Sequence, residues 1–428
     1  MHTLSKLIYD DMKPAFGVTE PGAIAFAVAT AKEKVTGDIT SVEVAMNSGM
    51  YKNAFTCGIP NSSRYGNLYA AALGAVSAKA DLGLESLTYV TADDDKKAAE
   101  MVEAGIVKAY MDSVSSKIKI DATVKTDNDT CTVHIADSHT HIISIELNGE
   151  TIYADKGANE NVLSEDISPI PEIHKYTLAE ILNYIKNVSK DEISFIRDAF
   201  IMNLDLLDEG LQSDRAVIAH ELLKQNNGML VTDDPVKTAQ LLCNGAIEAR
   251  VLGLSKPAMS ITGSGAHGII ATMPLYAYFK SVIKSDDDEL LLKATALSYL
   301  ICMYIKEYSG KLSAFCGCGI AAGTGMACGL AYMQGADESQ IYKVILNMSG
   351  SITGMICDGG NHGCAMKGVV ATDAAFRSVS LAMADAYIEG IHGINGLTPE
   401  DTMRNMGLIA SPGMVETEKT IVEIQESK

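Results

Sequence analysis

Two long stretches without a charged residue, Pro257 to Phe279 and Leu312 to Ala336, constrain this chain more than any other feature. Each is long enough to cross a bilayer. Both, however, are rich in Gly, Ala, Ser and Thr, poor in Leu, Ile and Phe, and lack a Trp/Tyr belt at both ends. Small side chains let backbones approach closely, so both stretches read as buried, close-packed segments rather than membrane spans. The beginning, MHTLSKLIYDDMKPAFG, carries acids where a signal peptide has its apolar core. The expectation is a soluble, cytoplasmic protein.

A chain of 428 residues suits two or three domains. Gly22 to Glu33 and Leu68 to Ala80 read as small-residue helices, and Ala98 to Val114 as an amphipathic one. Ser41 to Met46 alternates like a strand. Four β-type runs follow at Ile118 to Val124, Thr130 to Ala136, Thr140 to Leu147 and Glu150 to Ala154, with Asn148-Gly149 as a hairpin turn. Two prolines break the pattern between Ser164 and Glu172, and the chain beyond reads as mainly helical. The fold class expected is α+β: an α/β domain with an antiparallel meander over 1–170, then a helical domain over 171–428. A formal net charge of −20 repels phosphate backbones and anionic lipid, which argues against nucleic acid or membrane as partners. A homodimer is the default assembly.

Five of the nine cysteines fall between 316 and 364. The odd number, the long chain and the missing export signal speak against a disulfide framework. Cys316 and Cys318 stand in the glycine-rich turn Ala314-Phe-Cys-Gly-Cys-Gly. Cys357 and Cys364 bracket the polar loop Cys-Asp-Gly-Gly-Asn-His-Gly-Cys. Glycines let a backbone approach an inorganic cluster and expose N–H groups to its sulfurs. Three thiolates would leave one iron of a cubane open as a Lewis acid. A zinc site with His362 as fourth ligand is the competing ligand reading.

Three further segments are polar islands in apolar surroundings. Ile261-Thr-Gly-Ser-Gly-Ala-His-Gly resembles an anion-binding nest suited to a small carboxylate, with His267 as a proton-transfer group or a structural donor. Gly17-Val-Thr-Glu-Pro-Gly and the stretch from Asn47 to Ser63 are loops of the kind that carry sites. In Asp137-Ser-His-Thr-His, His139 and His141 would share a strand face.

In order and spacing these segments resemble the serine dehydratase-like family that contains the L-cysteine desulfidases. The matching stretches are Thr19-Glu20-Pro21, Asn47, Lys52-Asn53, Gly58-Ile59-Pro60, His139-Thr140, Gly263-Ser264-Gly265, Phe315 to Gly329, and Met355-Ile-Cys-Asp-Gly with Cys364-Ala-Met-Lys. The late segment Asn405 to Met414 fits too. The resemblance implies a [4Fe–4S] cluster on Cys316, Cys357 and Cys364, and leaves open whether Cys318 takes part. It implies β-elimination from a small amino acid substrate, L-cysteine giving pyruvate, ammonia and sulfide or, in the dehydratase alternative, L-serine giving pyruvate and ammonia. Thr19, Asn47, Asn53, His139, Gly263, Ser264 and Gly265 become the candidate substrate contacts, and Cys57, His267 and Glu20 the candidate catalytic groups. Two departures stand out. The desulfidases typically read Gly-Cys-Thr-Glu-Pro where this chain has Val18, and His267 replaces their usual Gln. Either Cys57 takes over the thiol role or another group such as His267 is the base. A cluster-bearing relative that binds a small acid without turnover, and a zinc hydrolase, are the readings from other classes.

Overall fold

The computed structural model describes residues 1–155, 170–310 and 312–428. The boundary expected between Ser164 and Glu172 falls largely outside them. A six-stranded sheet dominates the first half. Its strands are β2 (Ile39–Asn47), β3 (Val107–Ser113), β4 (Lys119–Thr126), β5 (Thr130–Ala136), β6 (Ile142–Leu147) and β7 (Glu150–Ala154), after a short β1 (Lys13–Phe16) that lies elsewhere. The spatial order is β3-β2-β4-β5-β6-β7, antiparallel except for the parallel pair β2/β3. Alternation explains the register. Ile120, Ala122 and Val124 face Ile135, Val133 and Cys131 on one buried side. That side packs against the alanine-rich helix Thr19–Lys32, whose residues Thr19 to Ala31 are all buried.

The helix expected over Ala98 to Val114 is instead two elements. A helix Ala92–Glu103, started by a capping box between Thr91 and Asp94, gives way to β3. Gly105 has φ +70, a left-handed conformation that ends the helix. Val107, Ala109 and Met111 then alternate with more exposed residues, so period two overrides the apparent helical period.

The remainder is helical as expected, with helices at Leu178–Asn187, Arg197–Gln212, Pro235–Val251, Gly265–Tyr278, Glu289–Ser309, Gly323–Met333, Glu338–Ile352, Gly363–Met383 and Pro399–Ala410. The charge-free stretches lie at its centre. Pro257–Ser260 forms strand β8, which pairs antiparallel with β1, and leads into the buried helix Gly265–Tyr278. The second stretch leads into Gly323–Met333, where a Cβ on Gly325 would stand 2.2 Å from the Ser298 carbonyl oxygen. Glycine is the residue that permits this approach to helix Glu289–Ser309. Among the described residues no helix is long and apolar enough to cross a membrane.

Each half contributes to the core of the other. Leu4, Ile8 and Met12 belong to the helical core, and Val422 of the last helix, Val415–Glu426, belongs to the sheet core. The helix Glu338–Ile352 and the two helices after Thr398 have no counterpart among the sequence expectations.

Candidate active site

A cavity of about 410 Å³ opens where the two halves meet, large enough for a small ligand. From the first half come Val18, Thr19, Glu20, Asn53 and His139. From the helical half come Arg250, the Thr262–His267 turn, Lys306, Gly317 and Cys318, and the loop holding Cys357 and Cys364.

The cysteines converge through a short pairing of two chain segments. Phe315 and Ile356 form an antiparallel bridge; the Cys316 N–H donates to the Met355 carbonyl at 3.0 Å and the Cys357 N–H to that of Ala314 at 2.6 Å. Residues on either side of such a bridge share a face, which puts Cys316 and Cys357 on the same side. Cys364, at the start of helix Gly363–Met383, reaches the Gly359 carbonyl at 3.4 Å. Cys318, Cys357 and Cys364 line the cavity, whereas Cys316 is buried, with its thiol next to that of Cys318. The Cys318 thiol and burial push the Cys316 thiol well above its ordinary value, and burial pushes Cys364 up to about 11. Among the described residues no three His, Cys, Asp or Glu side chains stand close enough to hold a single metal ion. A cubane spreads its thiolates over a wider frame than one ion does, and four thiols around one end of a cavity are the donor chemistry it uses. Lys306 and Lys367 lie close enough to these sulfurs to favour their ionised form when a metal displaces the protons. His362 stands 3.5 Å from Glu248.

The cysteine loop is anchored from below. Lys52 is fully buried and donates to the carbonyls of Ser313 (3.1 Å) and Cys357 (3.0 Å), with Glu418 of the last helix at 3.4 Å. Gln425 of that helix donates to the Asp358 carbonyl at 2.8 Å.

Opposite the cysteines, Thr262 and Gly263 have φ +51 and +73. A threonine held left-handed is strained, and such outliers concentrate at sites. What holds it is visible: its N–H donates to Asp11 at 2.5 Å and its Oγ1 lies 2.5 Å from His267 Nδ1. The other ring nitrogen points at the Cys-Gly-Cys turn, where a Cβ on Gly317 would fall 2.6 Å from Nε2. Burial, then the charges of Lys306 and Arg250, push His267 well below its ordinary 6.5, so the ring is neutral at pH 7. Glu20 accepts from Asn53 Nδ2 at 2.8 Å and lies 3.9 Å from His139 Nε2, an ion-pair distance rather than a hydrogen bond. Burial alone would raise its carboxyl, but His139 and the Asn53 amide outweigh burial and hold it at about 2.

Several expectations need correction. Cys57 is fully buried, is not among the cavity-lining residues, and gives its thiol to the Ala54 carbonyl. Burial and the nearby Glu20 push that thiol well above its ordinary range, so it is unsuited to proton transfer. Val18 faces the cavity in front of it. Asn47 is structural: it donates to Ser115 and accepts from the Lys119 N–H, pinning β2 to the chain that crosses it. Gly265 is not a lining residue but sits against Arg250. His139 and His141 share no strand face. Both lie in the turn after β5, and His141 pairs with Asp155 at 2.7 Å, away from His139. Arg250, Lys306 and Asp11 escaped the sequence reading. For two of them the available signal was a basic residue in the last turn of a helix, Arg250 in Pro235–Val251 and Lys306 in Glu289–Ser309.

Residues 81–423 match the serine dehydratase alpha chain family. The chain belongs to that family. Relatives that match along nearly their whole length are UPF0597 proteins: one of Clostridium botulinum strain Langeland is 38% identical over 98% of this chain and 97% of its own. One of Caldanaerobacter subterraneus subsp. tengcongensis is 35% identical over 99% and 98%. One of Clostridioides difficile is 33% identical over 98% of each chain. Family membership supports a lyase or dehydratase relationship, and the match covers every cysteine of the cavity.

Proposed function

We propose that this member of the serine dehydratase alpha chain family is a [4Fe–4S]-dependent lyase that carries out β-elimination on a small amino acid, L-cysteine giving pyruvate, ammonia and sulfide. The observation that carries the reading is one cavity lined at once by three thiols and by charged groups of both signs. Thiols suit a cluster, and mixed charge suits a zwitterion. Cys316, Cys357 and Cys364, with Cys318 beside them, would hold the cluster, which would supply a Lewis acid for the leaving sulfur.

The chain's own residues do the rest. His267, kept neutral and fixed through Nδ1 by Thr262, offers Nε2 as the base that removes the Cα proton. The C–H electron pair forms the Cα–Cβ double bond as the Cβ–S bond breaks and sulfide leaves. The resulting 2-aminoacrylate takes up water and releases ammonia, so one cysteine and one water give one pyruvate, one ammonia and one hydrogen sulfide. Glu20, ionised and buried, is the acceptor for the substrate ammonium, with Asn53 and His139 orienting its carboxylate.

The test is anaerobic reconstitution of the full chain, followed by a screen of L-cysteine, L-serine and related β-substituted acids for ammonia, sulfide and keto-acid together. Brown protein with keto-acid release is expected. Colourless, iron-free protein would falsify the cluster. Loaded protein that releases no keto-acid from any substrate would favour the second reading, a non-catalytic relative, which Val18 in the cavity wall supports. Release from L-serine alone would reassign the substrate.

A further inference from the structure

Arg250 lies one residue before the end of helix Pro235–Val251 and lines the cavity. It is only 6% exposed, and its Nε is buried without a hydrogen-bond partner. Among the described residues the guanidinium makes no ion pair. The nearby acids are engaged elsewhere: Asp11 holds the Thr262 N–H, Glu20 holds Asn53, and Glu248 accepts from the Ile218 and Ala219 N–H groups. A buried guanidinium N–H left without an acceptor is unfavourable unless a ligand completes it.

A second feature meets it there. Helix Gly265–Tyr278 starts on the same cavity, and its N-cap residue Ser264 makes no side-chain capping bond. The N–H groups of the first turn carry the positive end of the helix dipole. Gly265 is what brings the two together, since a Cβ there would stand 2.7 Å from Arg250 Nε. A fork of guanidinium N–H donors beside an open helix N-terminus is built for a planar carboxylate.

We infer that Arg250 and the N-terminus of helix Gly265–Tyr278 form the carboxylate subsite of the cavity, which takes the α-carboxylate of a small amino acid. The protein, not only a metal, then grips that end of the substrate and leaves the Cα–Cβ bond toward His267 and the cysteines. The inference rests on the lyase reading only in calling that acid the substrate.

The experiment is calorimetric titration of the full chain, iron-loaded and chelated, with L-alanine and with ethylamine. L-alanine has no β leaving group, and ethylamine is L-alanine without its carboxylate. The wild type should bind L-alanine in both states, and ethylamine about 100-fold or more weakly. Arg250→Met should lose about 100-fold in L-alanine affinity, and Arg250→Lys should recover only part, because an ammonium cannot reproduce the fork. Equal binding of the two probes by the wild type, no L-alanine binding at all, or L-alanine binding by Arg250→Met at wild-type strength would each overturn the subsite. Inactivity toward L-cysteine with L-alanine binding intact would count against the lyase reading alone.

Discussion

Val18 and His267 are the two positions at which this chain departs from the desulfidase pattern that it resembles. If the imidazole removes the Cα proton, His267→Gln should lower kcat by about 100-fold or more while iron content and KM stay near wild type. Adding Val18→Cys to that variant should restore turnover in part, because residue 18 faces the same cavity. Steady-state kinetics on the single and double variants decide it, and an unchanged kcat in His267→Gln removes the histidine from the mechanism. Glu20 makes a separate prediction. Its folded carboxyl sits at about 2 against an ordinary 4.5, so its contribution is complete above pH 4.5 and fades as pH falls from there toward 2. The linkage amounts to roughly 3 kcal/mol. In urea unfolding at a series of pH values, wild type minus Glu20→Gln should show that loss between pH 4.5 and 2. A flat difference would mean that the carboxylate is not held down. At this scale residue type alone singles out Cys357, Cys364, His139 and Glu20, and the structure places all four on the cavity wall. Residue type misled at Cys57, because no residue code states that a thiol lies behind a valine.

Among the elements, the loop from Cys357 to Cys364 depends on a helix nearly sixty residues later. Lys52 joins them: its ammonium is shared by the Cys357 carbonyl of the loop, the Ser313 carbonyl and Glu418. Lys52→Met would leave the buried Glu418 carboxylate without its counter-charge, a loss of about 3–5 kcal/mol. Lys52→Met with Glu418→Leu should recover more than half of that, measured by urea unfolding; a double variant as unstable as the single one would show that the ion pair is not the cause. The failed helix over Ala98 to Val114 belongs here too. Val107 to Met111 satisfies both periods locally, and only pairing with β2 selects the strand. By contrast the meander from β4 to β7 needed no such arbitration, since its alternation and its Asn148-Gly149 turn agree.

On the scale of the whole molecule, the site exists because the halves interlock. The first helix, Thr3–Asp11, packs in the helical core, while the last helix, Val415–Glu426, packs under the sheet half and holds the cysteine loop. Deleting residues 415–428 removes no cysteine and no cavity-lining side chain. It should nevertheless lower iron uptake on reconstitution several-fold and reduce the melting temperature, as iron analysis and calorimetry would show. Wild-type iron in the truncated chain would refute the strut. The sequence by itself determined the α+β class, most strands of the sheet, the burial of both charge-free stretches and the cysteine-rich segments, because periodicity, charge and glycine content act over a few residues. Only the tertiary structure decided which residues share the cavity. Arg250, Lys306 and Asp11 enter it, while Cys57 and Asn47 drop away, because accessibility and the partners of a buried charge are set by chain segments hundreds of residues apart.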